Sequence, residues 1–208
     1  MNAKNIKAKQ NKKYEFFVLY RFVRIIIFKT IRLVISKIFK LWIKNIVGTE
    51  NIPSKGPEIF VCNHRSYFDF IILGSIILRN IVFLAQRKIS QASFIRWLTR
   101  FHNVIYVDRD YPGCAFFKRL LRYLEEGKLL VIYPEGMRSR TGKMLMPKLG
   151  FVKLAMKANA PIIPVAMKGT YKILPPNKHI PKLKKCKVIV GKKMYVSPDN
   201  PYFRDVFF

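Results

Sequence analysis

Acidic side chains are scarce in this chain. Its 208 residues hold 11 Asp and Glu against 40 Lys and Arg, a formal net charge of +29. So few carboxylates cannot neutralise the surface internally, and anionic partners are expected: a lipid phosphate face, nucleic acid or acidic small molecules. The lysines are spread along the whole length, so part of the excess is general composition and not a local site. Cysteine is also rare. Cys62, Cys114 and Cys186 lie far apart and match no metal-ligand spacing, which argues against a bound metal and a disulfide framework and for reduced intracellular thiols. No small-residue cleavage site follows an apolar stretch after the basic start, so no secretory signal peptide is expected. Half of the residues are nonetheless hydrophobic. Disorder is therefore excluded, and one domain with a sizeable core is expected at this length.

Residues 15–46, "EFFVLYRFVRIIIFKTIRLVISKIFKLWIKNI", contain no proline or glycine. Basic residues break the apolar runs before they reach the roughly 20 residues of a membrane span, so a simple span is disfavoured. At about 100° per residue, Arg21, Arg24, Lys29 and Arg32 share one face, and Lys37, Lys40 and Lys44 share a face rotated from it. Two amphipathic helices, or one helix with a break near Ser36, fit that drift. Apolar bulk opposite cations suits a helix lying in a lipid interface. A helix packed on its own domain with snorkelling lysines is the alternative. The expected organisation is a flexible basic tail (1–14), amphipathic interface helices (15–47) and a folded domain (48–208).

After Gly48 the texture changes. "NIPSKGP" (51–57) is rich in turn formers. Strands are expected at "EIFVCN", "IVFLAQ", "NVIYVDR", "LLVIYP" and "APIIPVAMKG". Helices are expected at "SYFDFIILGSIIL", near "SFIRWLTRF", from Ala115 to Glu126 and at "GFVKLAMKAN"; "KKCKVIVGKKMYV" suggests another strand or two. This alternation implies an α/β fold, a mainly parallel mixed sheet with helices on both faces. Ligands in such sheets collect beyond the carboxyl ends of the strands. His64, Arg109 and Glu135 each fall just past an expected strand's end.

"VCNHRSYFDF" (61–70) sets His64 and Asp69 in an otherwise apolar and aromatic run. In one continuous helix the two would sit about 140° apart and could scarcely meet. Ser66-x-x-Asp69 is a capping-box pattern, which starts the helix at Ser66 and leaves His64 in the preceding turn. From there its ring can fold back on a carboxylate in the first helical turn. Taken alone, the pair reads equally well as a capping aspartate beside a loop histidine.

Four stretches taken together resemble the 1-acylglycerol-3-phosphate acyltransferases and related glycerolipid acyltransferases. "NHRSYFD" matches the His-x4-Asp motif, "NVIYVDR" (103–109) the second motif, "YPEGMRS" (133–139) the Phe-Pro-Glu-Gly-Thr-Arg-Ser motif, and "APIIPVAM" (160–167) the proline-containing fourth. The resemblance implies acyl transfer from a thioester to a hydroxyl, with His64 as the base and Asp69 holding its ring in the right tautomer. It also implies that the acceptor hydroxyl attacks directly, with no acyl-enzyme. Cys62, a conceivable rival nucleophile, is expected to point into the core. Arg109 and Arg138 are the candidates for gripping the acceptor phosphate, and Glu135 with Gly136 for shaping the loop and binding the glycerol. Arg87, Ser139 and Lys148 are further possible contacts, and Pro164 is expected to fix a loop near the substrate.

Two departures from the family pattern stand out: Met137 replaces a threonine of the third motif, and Asn103 stands where the second usually has glycine. They bear on the acceptor head group more than on the reaction. No ligand cluster in the sequence indicates a metal or bound cofactor, and acyl carrier protein or coenzyme A is expected to deliver the acyl group. Together with the basic amphipathic helices, the resemblance leads to the expectation of a peripheral, monotopic enzyme on the cytoplasmic face of a membrane, making phosphatidic acid. Another lysolipid or glycerol 3-phosphate as acceptor is the enzymatic alternative. A basic nucleic-acid-binding protein is the non-enzymatic one; no helix-turn-helix, zinc or RNA-recognition signature supports it, and no nucleic acid is expected.

Overall fold

Apolar runs bounded by turn residues become strands at every position in the domain where the structure can be compared with the sequence reading. The computed structural model describes residues 18–20, 22, 23, 26, 27, 30, 31, 33–77, 79, 81–86, 103–107, 113–139, 141, 143–175, 178 and 180–196. Its strands are β1 (Ile43–Val47), β2 (Glu58–Cys62), β3 (Ile81–Gln86), β4 (Asn103–Val107), β5 (Leu129–Ile132), β6 (Ile162–Lys168) and β7 (Cys186–Val190). They form one sheet in the order β1-β7-β6-β2-β5-β3-β4. Every neighbouring pair is parallel except β6 with β7. This is the mainly parallel mixed sheet expected from the alternation.

The helices are α1 (33–40), α2 (Phe68–Ile76), α3 (Cys114–Glu125), α4 (Gly150–Ala158) and the single turn α5 (Thr170–Ile173). Successive strand residues point to opposite faces, and they feed two separate cores. Phe60, Cys62, Leu129, Val131 and Phe83 pack with α2 on one face. Ile59, Leu130, Val82 and Ile105 pack with α3 and α4 on the other. Burial on both faces explains why β5 reads "LLVI" with no polar alternation. The helix expected near residues 93–101 lies outside the described residues.

The N-terminal segment departs from the sequence reading in two ways. The described residues between 18 and 40 are helical, and α1 passes through Ser36 without a break. Ser36 is buried there, its hydroxyl donating to the Ser75 carbonyl of α2. The helix does not continue to residue 46, however. The chain turns after Lys40, and residues 43–47, assigned by sequence to the amphipathic helices, form β1 beside β7. Gly48 then has φ 79°, and a Cβ there would lie 2.0 Å from the Val190 carbonyl oxygen. Only glycine fits that turn.

Candidate active site

β2 and β5 are parallel neighbours with Val61 opposite Ile132, so the loops leaving their carboxyl ends emerge side by side. One carries Asn63–Tyr67 and the other Tyr133–Ser139. Asn63 ends β2 by a side-chain substitute for the ladder. Its amide donates to the Met167 carbonyl at 3.0 Å and accepts the Met167 N–H at 2.7 Å. The main chain is thereby released from β6 at the residue before His64.

The helix starts later than its Ser66-x-x-Asp69 pattern predicts. α2 begins at Phe68, Tyr67 occupies the N-cap position and no side chain caps it there. Ser66 and Asp69 instead bond the turn just ahead of it. Ser66 Oγ accepts the Phe68 N–H at 2.9 Å, and Asp69 Oδ2 accepts the Ser66 N–H at 2.9 Å. The same Oδ2 takes the Arg65 N–H at 2.7 Å and lies 2.9 Å from His64 Nδ1. Asp69 therefore holds both the turn that leads into α2 and the histidine, joining the two roles that its sequence position left as alternatives. Two backbone donors fix Oδ2 as an acceptor, so the Nδ1 proton is the one donated to it. Nε2 then carries the lone pair. Asp69 is 0% exposed, while the His64 side chain is 17% exposed. The carboxylate is sealed and the ring reaches the surface.

The second loop supports the ring from below. Tyr133 stacks on the imidazole with ring centroids 4.1 Å apart and planes 23° apart. Burial, with Cys62 and Asp69 nearby, pushes the Tyr133 phenol well above its ordinary pKa and keeps it neutral. Glu135 is buried, and both its carboxylate oxygens are engaged. Oε1 accepts the His64 N–H at 2.7 Å and Oε2 the Leu145 N–H at 2.8 Å. The Ser139 N–H donates back to the His64 carbonyl at 3.0 Å. His64 is thus clamped through its ring, its amide and its carbonyl.

Gly136 turns the loop at φ 68°, and a Cβ there would lie 3.6 Å from Lys148 Cε. Lys148 is held near by its N–H to the Pro134 carbonyl, 2.8 Å. Arg138 lays its guanidinium 3.4 Å from the ring centroid of Tyr67, three residues from His64. Burial pulls the Arg138 pKa below the usual guanidinium value, and Tyr67 and Asp69 counter the shift. It remains a cation at neutral pH.

His64, Asp69, Glu135, Gly136, Arg138, Ser139 and Lys148 are therefore gathered at one edge of the sheet. Ser139 is fully buried, and among the described residues its hydroxyl has no hydrogen-bond partner. Arg87 and Arg109 lie outside the described residues. Pro164 differs from expectation: it sits inside β6, opposite Val61, and not in a loop. Its carbonyl accepts the Gly191 N–H at 2.8 Å, and the reciprocal donor is the one proline lacks. The ring occupies the space a Gly191 side chain would need, since a Cβ there would come within 2.7 Å of it. Sequence reading passed over Asn63, Tyr67 and Tyr133. Each lies inside or next to a quoted motif, so proximity to the motif was the available signal. Cys62 is 1% exposed, and burial pushes its thiol well above the usual pKa. A thiolate there is disfavoured. Met137 is 39% exposed, so its side chain reaches solvent.

Residues 44–168 match the family model described as acyltransferase. The chain is 28% identical to the 1-acyl-sn-glycerol-3-phosphate acyltransferase of Bacillus subtilis over 151 residues, 72% of this chain and 73% of that one. It is 31% identical to a chloroplastic 1-acyl-sn-glycerol-3-phosphate acyltransferase of Arabidopsis thaliana over 134 residues, 63% of this chain but only 37% of that one. In fold it resembles the crystal structure of the 1-acyl-sn-glycerophosphate acyltransferase PlsC from Thermotoga maritima. The TM-score is 0.69 at 24% identity, covering 93% of this chain and 84% of that one. With its matched segment running from β1 through the dyad and the clamping loop to the end of β6, the chain belongs to the acyltransferase family.

Proposed function

We propose that the protein transfers a fatty acyl group from an acyl thioester to the free sn-2 hydroxyl of 1-acylglycerol 3-phosphate, forming phosphatidic acid. The observation that carries this reading is the 2.9 Å contact of His64 Nδ1 with the sealed Asp69 carboxylate, which turns Nε2 outward as a base. The names of the similar proteins support the same acceptor.

As the hydroxyl oxygen attacks the thioester carbonyl carbon, its proton passes to His64 Nε2. The imidazolium that forms is stabilised by Asp69. The tetrahedral intermediate collapses, the C–S bond breaks, and the thiolate leaves with the proton returned by His64. Atoms and charge balance with the two substrates alone. No acyl-enzyme is needed, and the buried Cys62 is unsuited to form one. Arg138, fixed on Tyr67, holds the acceptor phosphate, with Arg109, Arg87 and Lys148 adding positive charge. Glu135 and Gly136 shape the loop against which the glycerol lies.

The protein works at a membrane surface on the cytoplasmic side. Phe22, Ile27, Leu33 and Leu41 are exposed along the N-terminal helical residues, and apolar bulk of that extent on a basic chain suits a lipid interface. No helix of the described residues is long and apolar enough to cross a membrane. Acyl carrier protein or coenzyme A brings the thioester from the water side, attracted by the net charge of +29. The test is a purified-enzyme assay with both donors and a panel of acceptors. Acylation of 1-acylglycerol 3-phosphate should exceed that of neutral lysolipids and glycerol 3-phosphate, and His64→Ala should abolish it. Full activity of His64→Ala would remove the base assignment.

A further inference from the structure

β7 runs antiparallel to β6, so the segment entering β7 lies at the same edge of the sheet as His64. That segment, "IPKLKKC" (180–186), places two large apolar side chains in solvent. Ile180 is 81% exposed and Leu183 is 88% exposed. Lys182, Lys184 and Lys185 alternate with them, and Lys178 precedes them. Apolar tips projecting among cations, with no acidic residue in the segment, match the two layers of an anionic bilayer surface: phosphates above and acyl chains below.

The segment is also fixed to the N-terminal helix. The indole N–H of Trp42 donates to the Lys182 carbonyl at 3.0 Å, the ammonium of Lys185 donates to the Leu41 carbonyl, and the Cys186 N–H donates to the Trp42 carbonyl at 2.8 Å. Lys182 itself is tied to α5 through its N–H to Ile173, 2.8 Å. Leu41, at the end of α1, is exposed too. Trp42 and Leu41 therefore tie the 180–186 segment to the turn that follows α1.

We infer that the 180–185 segment is a second membrane contact, inserting Ile180 and Leu183 into an anionic bilayer beside α1. Two attachments on either side of Trp42 hold the active-site edge facing the lipid, where one alone would let the domain pivot. This extends the membrane location proposed above, and the bilayer is favoured over an acidic carrier protein because two bare aliphatic side chains gain nothing from charge alone.

A direct test labels Leu183→Cys with a polarity-sensitive nitrobenzoxadiazole dye in a Cys114→Ser full-length chain, Cys62 and Cys186 being buried. Vesicles of phosphatidylcholine with phosphatidylglycerol should shift the emission to the blue, and spin-labelled acyl chains should quench it. Unchanged emission on vesicles that bind the protein overturns the inference, and so does a shift produced by acyl carrier protein alone. In parallel, the Ile180→Ser, Leu183→Ser double variant should partition onto those vesicles about tenfold less well. Its activity toward a monomeric short-chain acceptor and its melting temperature should match the parent. Wild-type partitioning of the double variant also overturns the inference. Loss of short-chain activity in the parent itself would instead strike at the acyltransfer reading.

Discussion

At the scale of single residues, the site depends on one carboxylate oxygen with three donors. Asp69 Oδ2 receives the His64 ring and the amides of Arg65 and Ser66, so the group that holds the turn into α2 also sets the histidine tautomer. Asn at position 69 could keep the shape but not the charge, and its amide could present a donor where an acceptor is required. Asp69→Asn is expected to lower kcat by about a thousandfold with little change in KM, because the imidazolium loses its counter-charge only in the transition state. Steady-state kinetics on a folded variant check this, and an equal loss in KM would point to acceptor binding instead. The His-x4-Asp spacing made the pair visible in sequence. Glu135 was visible as a motif residue, but its engagement with two amides was not. Hydrogen-bond partners 71 and 10 residues away are set by where the loops meet, and no local pattern records that.

At the scale of elements, the central strands were legible because burial on both faces leaves short apolar runs between turn residues. β1 was misread for a physical reason. "LWIKNI" has no proline or glycine and continues the basic periodicity of the helix before it, while what makes 43–47 a strand is pairing with Cys186–Val190. Long-range pairing overrides local propensity. The turn that leaves β1 beside the end of β7 is held by Gly48, so Gly48→Ala should destabilise the protein by about 2–4 kcal/mol through a positive φ and a clash with the Val190 carbonyl. Urea denaturation measures the loss; an unchanged midpoint would mean β1 contributes little to the fold. The aromatic cluster of Phe39, Trp42 and Phe68, with centroids 5.6 to 5.9 Å apart, then couples the end of α1 to the start of α2, directly next to Asp69.

At the scale of the whole molecule, the two edges of the sheet do different work. The carboxyl edge carries the dyad. The opposite edge is tied by Arg79, which donates to Glu58 at 2.6 Å, to the Gly127 carbonyl at 2.6 Å and to the carbonyl of Gly56. Burial pushes the Glu58 carboxyl above its ordinary range, against the pull of Arg79. Removing Arg79 leaves a buried carboxylate without its cation and raises that pKa further. A raised acidic pKa gives stability that is present below the unfolded value and is lost as the pH rises through the folded one. Arg79→Ala should therefore cost about 3–5 kcal/mol near neutral pH and less in mild acid. Denaturation at the two pH values checks this, and a deficit independent of pH would show that lost packing dominates.

Sequence alone determined the class of fold, the order of most elements and part of the set that meets at one edge of the sheet (His64, Asp69, Glu135 and Arg138 among them), because hydrophobic periodicity and motif spacing are local properties that a chain cannot hide. Tertiary structure alone decided the placement of β1, the position of Pro164 inside a strand, the support of His64 by Tyr133 and Glu135, and the joining of the 180–185 segment to α1. Each of these is a contact between residues dozens of positions apart. Its energy exists only once the sheet has brought them together.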